Sequence, residues 1–218
     1  MDFKKNIMSS EKEIILEATA KANKRELSLD DAKDLVKKYP KSHRAISLLA
    51  FIYFQQSKFE KVIEETKRSL RYGKSVTAYN LSAQSNINLQ NFEAANQDFS
   101  KALELDANDL MTLINYAAFL GQTGKAKETI QITKKLTLMQ PNNLELKVKL
   151  VKMYHQISDF LSASKYLEGV VKEFPNEYIF HHLLGNSYFQ CDREDDAAKC
   201  YEDAIKIKPD AEKTYFNL

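Results

Sequence analysis

Four prolines, all in one phase of a fixed interval, define the organisation of this chain. Pro141, Pro175 and Pro209 follow one another every 34 residues, and Pro40 lies 101 residues before Pro141, one short of three such intervals. An interval of this size is typical of a solenoid, in which one supersecondary unit is repeated and stacked. Because proline cannot continue a helix and biases the preceding residue away from helix, each proline marks the end of a repeat.

In this phase the chain divides into six repeats of 33 or 34 residues. Their bounds are 9–42, 43–75, 76–109, 110–143, 144–177 and 178–211. Residues 1–8 precede them as a tail, and residues 212–218 are either the start of a seventh repeat or a cap. The 5 glycines and 4 prolines among 218 residues are few for the tight turns of a β-sandwich or barrel, which favours helix.

Small side chains recur at two positions of the repeat. The eighth position holds Leu16, Ala50, Ala83, Ala117, Val151 and Gly185, and the twentieth holds Ser28, Val62, Ala95, Thr129, Ala163 and Ala197. Two helices approach closely only where side chains are short, so these two positions predict the crossing point of a helical hairpin. Each repeat is therefore predicted to form two helices joined by a turn, with the second helix ending before the proline.

Local signals agree with helices. Ser10 with Glu13, and Ser28 with Asp31, have the spacing of a capping box at the start of a helix. No alternating strand pattern competes with the helical spacing of apolar residues. We therefore predict an all-α protein.

The sixth repeat carries a family resemblance. Its residues Leu184-Gly185-x-x-Tyr188, then Ala197-x-x-x-Tyr201-x-x-Ala204, then Pro209 resemble the tetratricopeptide repeat at nearly every signature position. The resemblance extends over the chain and implies a right-handed α-α superhelix whose first helices line a concave groove. Two repeats depart from the pattern. The first has Thr19 where an aromatic is usual, and Leu81 and Ile87 of the third are one residue out of step, which predicts a locally shifted helix.

The resemblance also implies that positions 2, 5, 6, 9, 12 and 13 of the first helices face the groove. Position 13 repeatedly carries glutamine and positions 5 and 6 carry asparagine, in a row similar to the asparagine ladder of the O-linked GlcNAc transferase solenoid. An amide offers a donor and an acceptor, which suits an extended peptide backbone; the alternative is that glutamine is a tolerated exposed helix residue. The residues predicted for the peptide-binding groove are Phe51, Phe54, Gln55, Asn80, Asn115, Gln122, Lys149, Lys152, Gln156, His182, Asn186, Phe189 and Gln190.

Two kinds of acidic ligand could suit this groove. The carboxylate clamp of heat-shock co-chaperones matches this chain at two of its five positions. At one of the other positions Glu145 would repel a ligand carboxylate, which disfavours binding of an acidic chaperone tail. Lys149, Lys152, His155 and His182 form a modestly basic stretch beside Phe189 and Asn186, suited to an acidic or phosphorylated side chain. The alternative is an ordinary solvated charged face.

Other classes of function are disfavoured. The net charge of +2, carried mainly by lysine, does not suggest nucleic-acid binding. The longest apolar run, 45–54, is too short to cross a membrane. His181 and His182 point about 100° apart on a helix, and no catalytic or metal-binding constellation is recognisable, so no cofactor or metal is expected. Two cysteines and no apolar leader favour a reducing, cytoplasmic setting.

Two functions remain. The favoured one is a non-enzymatic scaffold that binds an extended peptide or a helix of a partner protein in the concave groove of the solenoid. The alternative is the amino-terminal recognition module of a larger transferase, of the sulfotransferase or glycosyltransferase type, that continues beyond Leu218. The sequence specifies neither the partner nor the pathway nor the oligomeric state.

Overall fold

The computed structural model describes residues 2–210, and residues 2–10 by their backbone alone. Within this range the chain forms twelve α-helices and no strand. The helices are α1 (Asp2–Asn23), α2 (Leu29–Lys38), α3 (His43–Gln55), α4 (Phe59–Leu70), α5 (Val76–Asn88), α6 (Phe92–Leu105), α7 (Leu110–Gln122), α8 (Ala126–Met139), α9 (Leu144–Gln156), α10 (Phe160–Glu173), α11 (Tyr178–Phe189) and α12 (Glu194–Ile207). The expected seventh repeat or cap, residues 212–218, lies outside the described residues.

The chain divides into two compact units, an amino-terminal half (Met1–Phe119) and a carboxy-terminal half (Leu120–Leu218). In the amino-terminal half the odd-numbered helices α1, α3 and α5 contact one another in sequence, and even-numbered helices pack on them. In the carboxy-terminal half α9 contacts α11, while α8, α10 and α12 pack on this pair. Because the odd-numbered helices contact one another and the even-numbered helices pack on them, the odd-numbered helices form the inner layer of each half. Each half buries an apolar cluster of its own.

The turn after each odd-numbered helix from α3 onward has one backbone design. In each turn a backbone N–H just beyond the helix pairs with the carbonyl five residues earlier, as in Lys58 N to the carbonyl of Tyr53 at 3.0 Å and Asp159 N to that of Tyr154 at 2.9 Å. The residue before it has a positive φ, which defines a Schellman motif. These left-handed residues are Ser57, Gln90, Gly124, Ser158 and Asp192, spaced by the repeat length.

The prolines end the even-numbered helices as the sequence predicts. α2, α8, α10 and α12 each end two residues before a proline: Pro40, Pro141, Pro175 and Pro209. The second repeat, which lacks this proline, ends α4 at Leu70 and turns through Gly73. A Cβ at Gly73 would lie 2.7 Å from Cδ2 of His43, so the imidazole occupies the space of a side chain. This close contact accompanies the repeat that is one residue shorter.

The predicted crossing positions are buried in repeats two to six. Ala50 and Val62 of the second repeat and Ala163 of the fifth are 0% exposed, as expected where two helix backbones approach. The first repeat does not follow this pattern: Leu16 is 69% exposed, and Ser28 is an exposed N-cap residue. Its α1–α2 hairpin instead buries Ala18, Ala22 and Ala32. The assignment of Leu16 and Ser28 to the helix crossing was therefore wrong.

One predicted capping box is confirmed and the other is wrong. The Ser28 hydroxyl accepts the backbone N–H of Asp31 at 3.1 Å, and the Asp31 carboxylate accepts that of Ser28 at 3.2 Å. The Ser28 hydroxyl also donates to the Asp31 carboxylate at 2.6 Å, and this hydrogen bond, together with the one from the Ser28 N–H, lowers the pKa of the Asp31 carboxyl. Ser10 starts no helix because it lies inside α1, which begins at Asp2 and includes most of the residues assigned to a tail.

The helix of the third repeat is not shifted. α5 begins at the first position of its repeat, as α3 and α9 do. The positions of the missing apolar residues are filled by Ser82 and Asn86, whose side chains donate to Oδ2 of Asp98 on α6 at 2.6 and 3.1 Å. Burial raises the pKa of the Asp98 carboxyl, although both donors oppose this shift. A polar network therefore replaces apolar packing between α5 and α6.

Candidate functional site

A cavity of about 380 Å³ lies between α1, α3 and the start of α5 in the amino-terminal half. We call it the inner cavity because all three helices belong to the inner layer. Its apolar lining is formed by Ile15, Leu16, Leu48 and Phe51, and its polar lining by Lys12, Thr19, Asn23, Arg44, Ser47, Ser75 and Thr77. The volume lies within the range of ligand-binding pockets.

Helical periodicity explains the composition of the inner cavity. On α1 one stripe, Ile15, Ala18 and Ala22, is buried in the core. The adjacent stripe, Leu16, Thr19 and Asn23, faces the cavity at the same i, i+3, i+7 spacing. The apolar side chain of Leu16 is therefore not packed in the core of the amino-terminal half.

The α3 wall occupies the positions predicted to face a groove. Arg44, Ser47, Leu48 and Phe51 stand at positions 2, 5, 6 and 9 of the second repeat, and all four line the cavity. Of these residues, only Phe51 was predicted as a groove residue from the sequence. The other three could have been found from their positions in the repeat alone. The α1 residues could not, because the first hairpin departs from the repeat register: α2 starts at position 21 of its repeat, whereas α4 starts at position 17.

Some polar groups of the inner cavity already have partners. The Ser47 hydroxyl pairs with the Ser69 hydroxyl at 2.8 Å, and the Thr19 hydroxyl donates to the carbonyl of Ile15 at 2.7 Å. The Ser75 hydroxyl accepts the N–H of Ala78 at 3.2 Å as the cap of α5. The charged groups Lys12 and Arg44 take part in no ion pair among the described side chains.

A second cavity, of about 590 Å³, lies between α1 and α2. It is lined by Ile14, Glu17, Ala18, Lys21, Glu26, Leu27, Asp31, Asp34, Leu35 and Lys38. Glu17 and Lys21 form an ion pair at 2.8 Å, and this pairing lowers the pKa of the Glu17 carboxyl. Four carboxylates and two lysines among the described residues give this cavity a net negative lining.

The other predicted groove residues of the amino-terminal half differ in accessibility. Phe54 is half-buried with its ring edge-on to Phe59, at a centroid distance of 5.9 Å. The Gln55 amide donates to the carbonyl of Ala22 at 2.9 Å and so completes the end of α1. Asn80 is buried, and its amide donates to the Thr112 hydroxyl of α7. Asn115 is half-buried. The accessible candidates here are thus fewer than expected.

In the carboxy-terminal half, six of the predicted groove residues are exposed and two are half-buried. The exposed residues are Gln122, Lys149, Lys152, Gln156, Phe189 and Gln190. The half-buried pair, His182 and Asn186, lies 3.2 Å apart between ring and amide nitrogens, and the Asn186 oxygen accepts from the Tyr201 hydroxyl at 2.9 Å. These two residues therefore have a structural use on α11.

His155 and Ser187 form the contact that most resembles part of a catalytic site. The His155 Nε2 lies 2.8 Å from the Ser187 hydroxyl, but this hydroxyl donates its single hydrogen to the carbonyl of Leu183 at 2.8 Å. The imidazole must then donate rather than accept, so it cannot activate the serine as a base. Burial lowers the pKa of His155, and the pair links the neutral ring of α9 to α11.

Metal-binding and membrane-spanning features are also absent from the described part of the chain. Among the described residues, no group of three or more histidine, cysteine, aspartate or glutamate side chains is placed to hold a metal ion. No helix in that part of the chain combines the length and the apolar character needed to cross a membrane.

Sequence comparisons identify similar repeats in known proteins. A sequence profile of the tetratricopeptide repeat matches residues 178–211, the bounds drawn for the sixth repeat, and a profile of the coatomer epsilon subunit matches residues 69–160. Sperm-associated antigen 1 of Mus musculus is 31% identical over 90 residues, 41% of this chain and 10% of that protein. The TPR repeat-containing protein YpiA of Bacillus subtilis is 27% identical over 115 residues, 52% of this chain and 27% of that protein. The chain thus spans about a quarter or less of these relatives.

Solved structures share the fold at low sequence identity. YrrB, described as a TPR protein with an unusual peptide-binding site, is 14% identical with a TM-score of 0.59, over 87% of this chain and 98% of that one. A chain of Naa15/Naa10 bound to HypK-THB is 17% identical with a TM-score of 0.65, over 96% and 38%. The C-terminal part of a TPR repeat-containing protein of Cytophaga hutchinsonii is 15% identical with a TM-score of 0.62, over 96% and 82%. These likenesses concern the fold alone.

Proposed function

We propose that this chain is a tetratricopeptide repeat protein that acts as a non-enzymatic scaffold and binds a segment of a partner protein on the inner faces of its first helices. The family and the all-α fold indicate a protein-interaction role. The proposal adds the place of binding. The proposal also includes the six repeats, with the bounds given by the sequence, as the structural units of the scaffold.

The observation that carries the proposal is the exposure of Leu16 in the inner cavity. Its side chain is 69% exposed beside the half-buried ring of Phe51, while Ile15 and Leu48 close the cavity at 4% and 5% exposure. An accessible apolar side chain in a concave site gains free energy when a ligand covers it, at roughly 25 cal/mol per Å² of apolar surface. A peptide can cover these side chains without any change in the core.

The fold relatives support binding of this kind. YrrB is described as having a peptide-binding site, and the Naa15/Naa10 structure is described as bound to HypK-THB. The exposed residues predicted in the carboxy-terminal half, Lys149, Lys152 and Phe189 among them, are kept in the proposal as a further contact surface. Asn80 and Gln55 are left out because their amides serve the fold. The free thiols of Cys191 and Cys200 are consistent with a reducing, cytoplasmic setting, which is part of the proposal.

Selection from a library of random peptides displayed on phage tests this function. The enriched peptides are synthesised, and their dissociation constants are measured with the unmodified chain and with Leu16→Asp. Because Leu16 is exposed, the substitution should leave thermal unfolding within about 0.5 kcal/mol of the parent and weaken binding at least about tenfold.

Leu138→Asp is the matched control. Leu138 is 82% exposed on α8 and lines neither cavity, so the same change there should leave peptide binding intact. Failure to enrich any peptide whose binding depends on Leu16 would show that the inner cavity is not the binding site.

A further inference from the structure

Charge is distributed unevenly between the two cavities of the amino-terminal half. Among the residues whose side chains the structure describes, the inner cavity is lined by the cations Lys12 and Arg44 and by no carboxylate. The cavity between α1 and α2 is lined by Glu17, Glu26, Asp31 and Asp34 together with two lysines. Only the inner cavity therefore has a net positive lining.

Two helix N-termini add to this positive potential. Arg44 lies in the first turn of α3, and Ser75 and Thr77 lie at the start of α5. Neither helix has an acidic residue in its first turn, unlike α2 with Asp30 and Asp31. The exposed N–H groups of a first turn carry partial positive charge, which favours anions.

In the absence of a ligand, the position of Arg44 destabilises α3. A cation in the first turn of a helix opposes the helix dipole and so destabilises the helix slightly. Its neighbour His43 adds no second cation, because burial and the Arg44 charge lower the pKa of that imidazole, although the Glu11 carboxylate acts in the opposite direction. A ligand carboxylate would pair with Arg44 and remove the mismatch.

We propose that the inner cavity binds an acidic segment of a partner protein, with one apolar side chain against Leu16 and Phe51 and flanking carboxylates at Lys12 and Arg44. This inference rests on the proposed function and specifies the chemistry of the partner. A basic segment would be repelled by both cations and by the two helix N-termini. A purely apolar segment would leave both charges without a partner.

Three pools of fluorescein-labelled synthetic peptides test the inference. Each pool carries a central leucine, methionine or phenylalanine, and the flanking residues are glutamate in the first pool, glutamine in the second and lysine in the third. Fluorescence anisotropy should show the glutamate pool binding about tenfold more tightly than the glutamine pool, the effect of two partly exposed charge pairs, and the lysine pool binding least. This preference should largely disappear at about 0.5 M salt because screening shortens the range of the charges.

Arg44→Glu and the milder Arg44→Gln separate a binding role from a structural one. Both should reduce the preference for the glutamate pool, and Arg44→Glu should leave the melting temperature equal or higher because it relieves the unfavourable dipole contact. Arg71→Glu, at an exposed residue just after α4 that lines neither cavity, is the control and should keep the preference.

The outcomes distinguish this inference from the proposed function. Equal binding of the glutamate and glutamine pools, with Leu16-dependent affinity for both, would overturn the acidic partner and leave peptide binding standing. Binding of no pool in a Leu16-dependent manner would overturn both. Loss of the charge preference in Arg71→Glu as well as in Arg44→Glu would also contradict the assignment to the inner cavity.

Discussion

A Cβ atom on Gly185 would lie 2.6 Å from Cδ1 of Tyr201, so α11 and α12 approach closely because this position carries no side chain. Tyr201 is 3% exposed, and its hydroxyl is fixed by the Asn186 side chain at 2.9 Å. The ring therefore has little freedom to move away. The Gly185–Tyr201 contact sets the spacing of the last described hairpin.

Gly185→Ala should lower the free energy of unfolding by about 1–3 kcal/mol, the usual cost of overpacking a buried contact. Gly169→Ala is the matched control, because Gly169 also lies inside a helix but a Cβ added there would have no neighbouring atom within 4 Å. That substitution should raise stability by about 0.5–1 kcal/mol through helix propensity. Urea denaturation measures both, and effects of the same sign would contradict the structure of the crossing.

The left-handed turn residues give a second prediction. Gly124 has a φ of 74°, and a Cβ there would meet no atom, so Gly124→Ala tests backbone conformation alone. It should destabilise the chain by about 1 kcal/mol. Ser158→Gly, at a φ of 57° in the equivalent turn, should remove a similar strain and be neutral or stabilising. The melting temperature should decrease in Gly124→Ala and stay equal or increase in Ser158→Gly. A lower melting temperature in Ser158→Gly would contradict the common turn design.

Stability should fall on mild acidification. Burial lowers the pKa of His43 and of His155, so the unfolded chain binds protons more readily than the folded chain. Their contribution is complete above the ordinary histidine pKa of about 6.5 and is lost as the pH decreases through it. Burial raises the pKa of the Glu65 and Asp98 carboxyls, so these two groups act in the opposite direction and favour the folded chain as the pH decreases.

Urea midpoints between about pH 7.5 and about pH 5.5 isolate the histidine effect. We expect a steady decrease in the unmodified chain and a shallower one in His155→Gln, which removes one titrating group. A midpoint that stays constant or rises over this interval would show that the two imidazoles are not kept neutral by the fold.

The sequence predicted most of the helices because proline and small residues constrain the backbone directly. The ends of α8, α10 and α12 follow from the prolines, and the buried Ala163 and Ala197 follow from the crossing rule. The turns could not be predicted in the same way. A left-handed residue usually requires glycine, but here the Schellman hydrogen bonds impose that conformation on serine, glutamine and aspartate as well.

The candidate site was predicted only where the repeat is regular. Phe51 lines the inner cavity because α3 keeps the register of the family, whereas Leu16 was misassigned because the first hairpin has a longer α1 and a later α2. Asn80 has the residue type of a groove ligand, but its amide is used by Thr112. Residue type and position alone do not reveal whether a polar side chain already has a partner inside the fold.

Backbone chemical-shift mapping with an enriched acidic peptide tests the location of binding most directly. On addition of the peptide, the ¹H–¹⁵N resonances of α1, α3 and the start of α5 should move, with the largest changes around Leu16, Arg44 and Phe51. Resonances of α2, α4 and α6 should change little, since these helices lie in the outer layer. Changes concentrated in α4 and α6, with α1 and α3 unaffected, would contradict binding on the inner face.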